Sequence, residues 1–280
     1  MPELPEVETV KRGLAPIFEG RRLIKVKVRR ADLRFPFPKN FGPRLTERVV
    51  VRVWRRAKFL LMGLDNGVTL ISHLGMSGRY KIYGKNAPAH EKHDHVIFNT
   101  DQGSEVRYND PRRFGFMDLV NDDDLTKHAM LRSIGPEPLG IDFNSEVILT
   151  SLKGRKSPIK SALLDQKVVA RLGNIYVSEV LFRAGISPKR IAATISSIKA
   201  EELYHAIVDV LNQAIVAGGS SINDHRQPSG ELGYFQHSFC VYGREGRACY
   251  GCNCDLNETG GVRRIIQSGR STFYCTKRQR

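Results

Sequence analysis

Pro2 follows an initiator methionine, and a small second residue is the usual condition for removing that methionine, which would leave a secondary amine at the head of the chain. An α-amine titrates at about pH 8 and a lysine at about 10.4, so near neutrality the terminal amine is on the order of a hundredfold richer in the unprotonated form that attacks carbon. Such an amine can form an iminium with an aldehyde-like carbon. Glu3 lies beside it and Glu6 one helical turn further on, and carboxylates there could carry protons and orient the amine. Acidic residues near a helix start are also what the macrodipole favours, so an ordinary helix beginning is the other reading of the same residues. The second group that could do chemistry is sulfur. Cys249 and Cys252 form a C-x2-C pair, Cys254 follows closely, and Cys275 comes near the end. Clustering of this kind does not resemble an extracellular disulfide framework and reads as metal ligation or redox chemistry. No βαβ pattern surrounds the pair to favour the redox reading.

These groups need a frame, and the hydrophobic pattern supplies one. Val7, Val10 and Leu14 fall at helical spacing after Pro5, with Gly20 past the end. From Leu23 to Arg30, Val26 and Val28 alternate with Lys25, Lys27 and Arg29, the period of a strand with one face in water. Further strands are expected at Val49 to Trp54, Phe59 to Leu64, Val68 to Ser72, Arg79 to Tyr83, His95 to Thr100 and Glu105 to Tyr108. Many short strands separated by turn signals predict a sandwich. The pattern changes after Gly135-Pro136-Glu137-Pro138: Ile159, Ala162 and Leu163, then Ile175, Val180 and Leu181, then Leu203, Ile207, Val210, Leu211 and Ala214 are helical runs, the last ending at Gly218-Gly219. The last forty or so residues hold the cysteines and a basic strand pair.

Composition restricts the partners. Lysine and arginine number 44 against 29 acids, a net charge of +15, which attracts polyanions and points to nucleic acid or an anionic membrane surface. The charge is concentrated: Arg21, Arg22, Lys25, Lys27, Arg29 and Arg30 crowd one stretch, and Val262 to Arg280 has six bases and no acid. No apolar run approaches the ~20 residues that cross a bilayer, and Met1 to Glu8 has neither the basic nor the apolar region of a secretory signal. A cytoplasmic protein is expected.

Read whole, Met1 to Leu14 (MPELPEVETVKRGL) closely resembles the amino terminus of the bacterial formamidopyrimidine-DNA glycosylases, bifunctional enzymes that remove oxidised purines such as 8-oxoguanine. The resemblance continues in order through RRAKFLL at 55–61, SHLGMSGR at 72–79, KHDHV at 92–96, YNDPRRFG at 108–115, GPEPLG at 135–140, LGNIYVSEVLFRAGISP at 172–188, GYFQHSFCVYGREG at 233–246 and QSGRSTFYC at 267–275. It implies an α+β fold in three parts. These are an N-terminal β-sandwich with a leading helix over 1–132, a helical helix-two-turn-helix domain over 133–239 and a C-terminal zinc-finger β-hairpin over 240–280. The implied activity is that of a DNA glycosylase with AP-lyase function, working as a monomer on duplex DNA with oxidised bases.

By the same resemblance Pro2 is the nucleophile, Glu3 passes protons with Glu6 at hand, Lys58 donates a proton in β-elimination and Arg270 belongs to δ-elimination. Contact with a phosphate is the alternative role for Lys58 and Arg270, and the two overlap because the reacting atoms flank phosphates. Asn174, Lys160, His73, His93, Arg112 and Arg155 fall on DNA-contacting positions; Asn174 could equally be a helix cap with no ligand. Met76, Arg112 and Phe114 match the trio that fills the gap left by an extruded base, although Met76 and Phe114 would also suit a core. Competing readings are the sister enzyme for oxidised pyrimidines, which has glycine where this chain has Leu4, and a DNA-binding protein of this fold without catalysis.

Three departures from the family stand out. Arg171 replaces a usual glycine, and Asn223, in the loop Gly219-Ser220-Ser221-Ile222-Asn223-Asp224, replaces a usual basic residue. Arg278 stands where the finger's fourth cysteine belongs, and a guanidinium has no lone pair for a metal. One structural zinc per chain is expected, bound by Cys249, Cys252, Cys275 and, as substitute, Cys254, which shares a longer connection than the family has. Cys252 and Cys254 are so close in sequence that joint binding should strain the turn.

Overall fold

A computed structural model of the chain describes residues 2–170, 172–221, 228 and 230–280. Arg171 and Asn223, with the two departures they represent, lie outside the described residues. The chain forms two compact units, the first from Met1–Arg132 with Ala217–Tyr234, the second from Ser133–Val216 with Phe235–Arg280.

The first unit begins with helix α1 (Leu4–Phe18), which has proline in its first turn and buries Leu4, Val7, Val10, Leu14 and Phe18. Strands β1 (Arg22–Val28) and β2 (Arg48–Arg56) flank the short helix α2 (Phe41–Leu45). Then come β3 (Phe59–Leu64), β4 (Val68–His73), β5 (Arg79–Tyr83), β6 (Asp94–Thr100), β7 (Glu105–Asn109) and β8 (Phe116–Asn121). All pairings are antiparallel, in the order β5-β7-β6-β1-β2-β3-β4-β8. β1 and β2 meet only at Arg22↔Val49 and Leu23↔Arg48, and there the sheet folds into two layers. One core joins them: Val26, Tyr80, Phe98, Val106 and Tyr108 from one side pack with Val53, Leu60, Met62, Leu70 and Met117 from the other. This is the expected sandwich, with two amendments. β1 does not alternate simply, because a register shift between Leu23 and Lys25 puts Leu23 and Val26 inside and leaves Ile24 exposed. β8 was not foreseen; Asp118 and Asn121 interrupt its apolar pattern, yet it completes the sheet against β4.

The second unit contains α3 (Ser145–Leu152), α4 (Ile159–Leu164), α5 (Asn174–Arg183) and α6 (Ser197–Val216). The short α7 (Leu256–Thr259) precedes the hairpin β9 (Arg263–Gln267) and β10 (Arg270–Tyr274). Helix α3 also escaped the periodicity argument, although Asn144 caps it by accepting from the Val147 amide at 2.9 Å. Among the described residues no helix is long and apolar enough to cross a membrane.

Candidate functional site

At the head of α1, Pro2, Glu3 and Glu6 are all buried. The Glu6 carboxylate is fully engaged: Oε2 accepts from the Glu3 amide at 2.8 Å, and Oε1 from the Ser220 amide at 2.8 Å and hydroxyl at 3.0 Å. Glu6 therefore holds the residue next to Pro2 and ties it to a segment more than two hundred positions away. Gly219 makes this possible. Its φ is +81°, and a Cβ there would lie 3.1 Å from the Glu6 side chain. Lys58, half-buried, sits in the two-residue turn between β2 and β3, where Ala57 is left-handed at φ 54°. Arg55 anchors that turn to the same helix, donating to the Ala57 carbonyl at 2.7 Å and to Glu8 Oε2 at 3.2 Å. With Met1 removed, Pro2 would place an amine beside these carboxylates, and with a lysine on an anchored turn those are the groups that imine chemistry requires.

Two loops of the first unit bring Met76, Arg112 and Phe114 together. Gly75, at φ +64°, approaches the other loop so closely that a Cβ would lie 2.3 Å from the Phe114 carbonyl carbon. Asp110 stitches the loops, accepting from the Ser77 hydroxyl at 2.5 Å and the Gly115 amide at 2.8 Å. Ser77 Oγ in turn accepts from the Arg112 amide at 3.1 Å. Met76 is 41% and Phe114 44% exposed, so neither belongs to the core, and the Arg112 guanidinium lies 4.8 Å over the Phe114 ring. Arg34, Arg112 and Arg113 line an open cavity of about 450 Å³ beside Phe114. His73 is buried; its ring stacks on Phe116 at 5.3 Å, and Nδ1 accepts from the Gly75 amide at 3.0 Å. His93 is half-buried, and its carbonyl accepts from the Asp110 amide at 3.1 Å. Sequence reasoning missed Asp110 as the joining residue, although it quoted the motif that contains it. Because both apolar tips are exposed, Met76→Ala and Phe114→Ala should each leave the melting temperature within a few degrees of wild type. Base extrusion, followed by a fluorescent base analogue at the lesion, should fall at least tenfold. Severe loss of melting temperature in both variants would return them to the core.

In the second unit Lys160, predicted as a DNA contact, is fully buried. Its Nζ donates to Asn174 Oδ1 at 2.7 Å, the Ser271 carbonyl at 3.0 Å and Thr272 Oγ1 at 2.7 Å, which fastens β10 to the start of α5. Asn174 joins from the same helix, donating to the Ser271 carbonyl at 3.1 Å. It is half-buried at the first position of α5, and the cap is Gly173. Arg155 donates to Asp165 at 3.0 Å and remains about a third exposed; the Lys167 amide and this guanidinium hold the Asp165 carboxyl below its usual range against the pull of burial. Glu179, also unforeseen, accepts from the Cys240, Val241 and Tyr242 amides at 2.8, 3.0 and 2.8 Å; burial outweighs these donors and raises its carboxyl pKa. Arg270 is exposed beside the hairpin tip, where Ser268 and Gly269 both have positive φ, as a type I′ turn demands.

Cys249, Cys252, Cys254 and Cys275 place their sulfurs within 4.8 Å of one another, with separations of 3.4 Å for Cys249–Cys254, 3.2 Å for Cys254–Cys275 and 3.8 Å for Cys252–Cys275. Tetrahedral zinc with Zn–S bonds of about 2.3 Å sets sulfurs ~3.8 Å apart, so the donor set fits a structural zinc. Gly251, left-handed at φ +74°, turns the chain between Cys249 and Cys252 without side-chain strain. Burial pushes the Cys249 thiol up to about 12. It would also raise Cys275, but hydrogen bonds led by the Arg278 amide bring that thiol below its usual value.

The family model for the formamidopyrimidine-DNA glycosylase N-terminal domain matches residues 1–117, and that for the H2TH domain of the same enzymes matches 134–226. A formamidopyrimidine-DNA glycosylase of Ruegeria pomeroyi is 54% identical over 287 residues, covering 100% of both chains. Lactococcus lactis Fpg, solved with DNA containing an abasic site, is 33% identical with a TM-score of 0.87 over 100% of both chains. A MutM solved with DNA containing carbocyclic 8-oxo-G is 34% identical with a TM-score of 0.86, again over 100% of both. Matches of this length, with two family models over most of the chain and a relative more than half identical from end to end, mean that it belongs to the formamidopyrimidine-DNA glycosylase family.

Proposed function

We propose that this chain excises oxidised purines, 8-oxoguanine and formamidopyrimidines among them, from duplex DNA and then cleaves the strand as an AP lyase, acting as a monomer in the cytoplasm. The observation that carries the site assignment is the Glu6 clamp, which holds Glu3 at the head of α1 and so fixes where Pro2 can be. The Pro2 amine attacks C1′ of the damaged nucleotide, the bond from C1′ to the base breaks, and the base leaves with a proton. As the sugar ring opens, O4′ takes a proton passed by Glu3 and C1′ becomes an iminium carbon. Loss of a C2′ proton expels the 3′ phosphate, a second elimination expels the 5′ phosphate, and water releases the sugar fragment from Pro2. Lys58 serves the first elimination and Arg270 the second, each a cation for a departing phosphate. Zinc, when bound, supplies no chemistry to these steps and stiffens the finger.

Met76, Arg112 and Phe114 occupy the space of the extruded base, while His93, Arg155 and Asn174 meet the backbone. His73 and Lys160, being buried, serve the interface by holding the Gly75 turn and strand β10. Incision assays on duplexes carrying 8-oxoguanine or thymine glycol test the reading. Faster cleavage at 8-oxoguanine, with phosphate on both ends of the gap, is expected; preference for thymine glycol would assign the chain to oxidised pyrimidines. Affinity should also fall steeply with salt, with a log-log slope of about −0.9 for each phosphate neutralised. A flat response in a fluorescence titration would contradict a DNA substrate.

A further inference from the structure

Arg278 occupies the place of a metal ligand and does something else there. Its guanidinium lies at the end of α5: Nε donates to the Phe182 carbonyl at 3.0 Å, and one terminal nitrogen reaches the Arg183 carbonyl at 3.5 Å. Both carbonyls belong to the last turn of the helix, that of Phe182 also accepting from the Gly185 amide at 3.1 Å, and a cation there meets the negative end of the dipole. The other terminal nitrogen donates at 3.0 Å to the carbonyl of Gly251, inside the Cys249–Cys252 turn. The group stacks 4.9 Å over the Phe182 ring, and that ring packs in the same apolar cluster as Cys249, Val262, Phe273 and Cys275. The Arg278 amide donates to Cys275 Sγ at 3.5 Å. One residue thus bridges the helix, the first cysteine turn and the last cysteine.

A cysteine at this position would hold the finger together through the metal. The arginine holds it through main-chain carbonyls, and Cys254, with its sulfur among the other three, makes up the ligand count. We propose that Arg278 is a positioning residue that fastens the zinc turn to the end of α5, and that the replacement at 278 and the recruitment of Cys254 form one exchange. Together with the Lys160 and Asn174 contacts on β10, it seats the hairpin that presents Arg270. The inference rests on the zinc-finger part of the function proposed above, not on its glycosylase chemistry.

The test measures zinc per chain by elemental analysis, zinc affinity by competition with a chromophoric chelator, and amide hydrogen exchange over 182–187 and 249–254. Wild type should hold one zinc. Arg278→Ala should also load one zinc, since no ligand is lost. Its affinity should be lower by about tenfold to a hundredfold, the usual effect of losing an outer-shell partner, and exchange should be faster in both segments. Arg278→Lys keeps the charge but cannot span three carbonyls, so it should lie between the two; it also serves if the alanine variant fails to fold. Cys254→Ser should lower zinc affinity more than either. Unchanged affinity and exchange in Arg278→Ala, or wild-type behaviour in Arg278→Lys, would overturn the strut. Wild-type affinity in Cys254→Ser would overturn the exchange of ligands. None of these readouts depends on base excision, so a failure of the glycosylase assignment would be seen separately.

Discussion

Borohydride added to a mixture of the protein and an 8-oxoguanine duplex is expected to produce a covalent protein–DNA adduct whose linkage maps to Pro2. An iminium is reducible to a stable amine, whereas a glycosylase that uses water forms no such species. Pro2→Gly keeps a terminal amine but makes it primary and frees its backbone, so the nucleophile loses both its ring and its orientation. A misplacement of about 1 Å in a reacting group can cost roughly a hundredfold, and trapping should fall by that order. Peptide mapping that placed the adduct on a lysine would reject Pro2 as the nucleophile.

The second large effect is expected at Glu6, for a reason independent of proton transfer. Both carboxylate oxygens accept from N–H or O–H donors, so an amide cannot replace the carboxylate: in Glu6→Gln one end of the side chain would turn an NH2 toward a donor. Breaking a buried hydrogen bond to a charged group costs about 1.5 to 3 kcal/mol, and here the partner left behind is either the Glu3 amide or Ser220. Adduct formation should fall at least a hundredfold, with thermal stability reduced by the same few kcal/mol. Glu6→Asp, which keeps two acceptor oxygens, should recover part of the stability. A glutamine variant as stable and active as wild type would mean that the clamp positions nothing.

Local chemistry was readable from the sequence, and distant pairing was not. The strands Phe59–Leu64 and Arg79–Tyr83 follow from alternation and turn residues, and the structure gives them those bounds. β8 was hidden because Asp118 and Asn121 break its pattern, and only pairing with β4 makes it a strand. Glu6 could be suspected as a carboxylate near an amine, but no local signal links it to Ser220. The resemblance puts Lys160 among the DNA-contacting positions; its burial follows from β10, which no sequence pattern places against α4. Counting cysteines was enough to bring in Cys254, since arginine cannot ligate metal. The reach of Arg278 to Gly251 and Phe182 required the folded finger.

The bond between Glu6 and Ser220 also sets a timetable for the newborn protein. All eight strands of the sandwich lie within the first 132 residues, but the first compact unit is completed by Ala217–Tyr234. Domains generally fold as units while the ribosome is still extending the chain. A nascent polypeptide that has delivered the sandwich still lacks Ser220, and the Glu6 oxygen assigned to it has no donors from that residue. Helix α6 must be synthesised before the head of α1 is secured. The end of the chain that emerges first is therefore among the last to be secured.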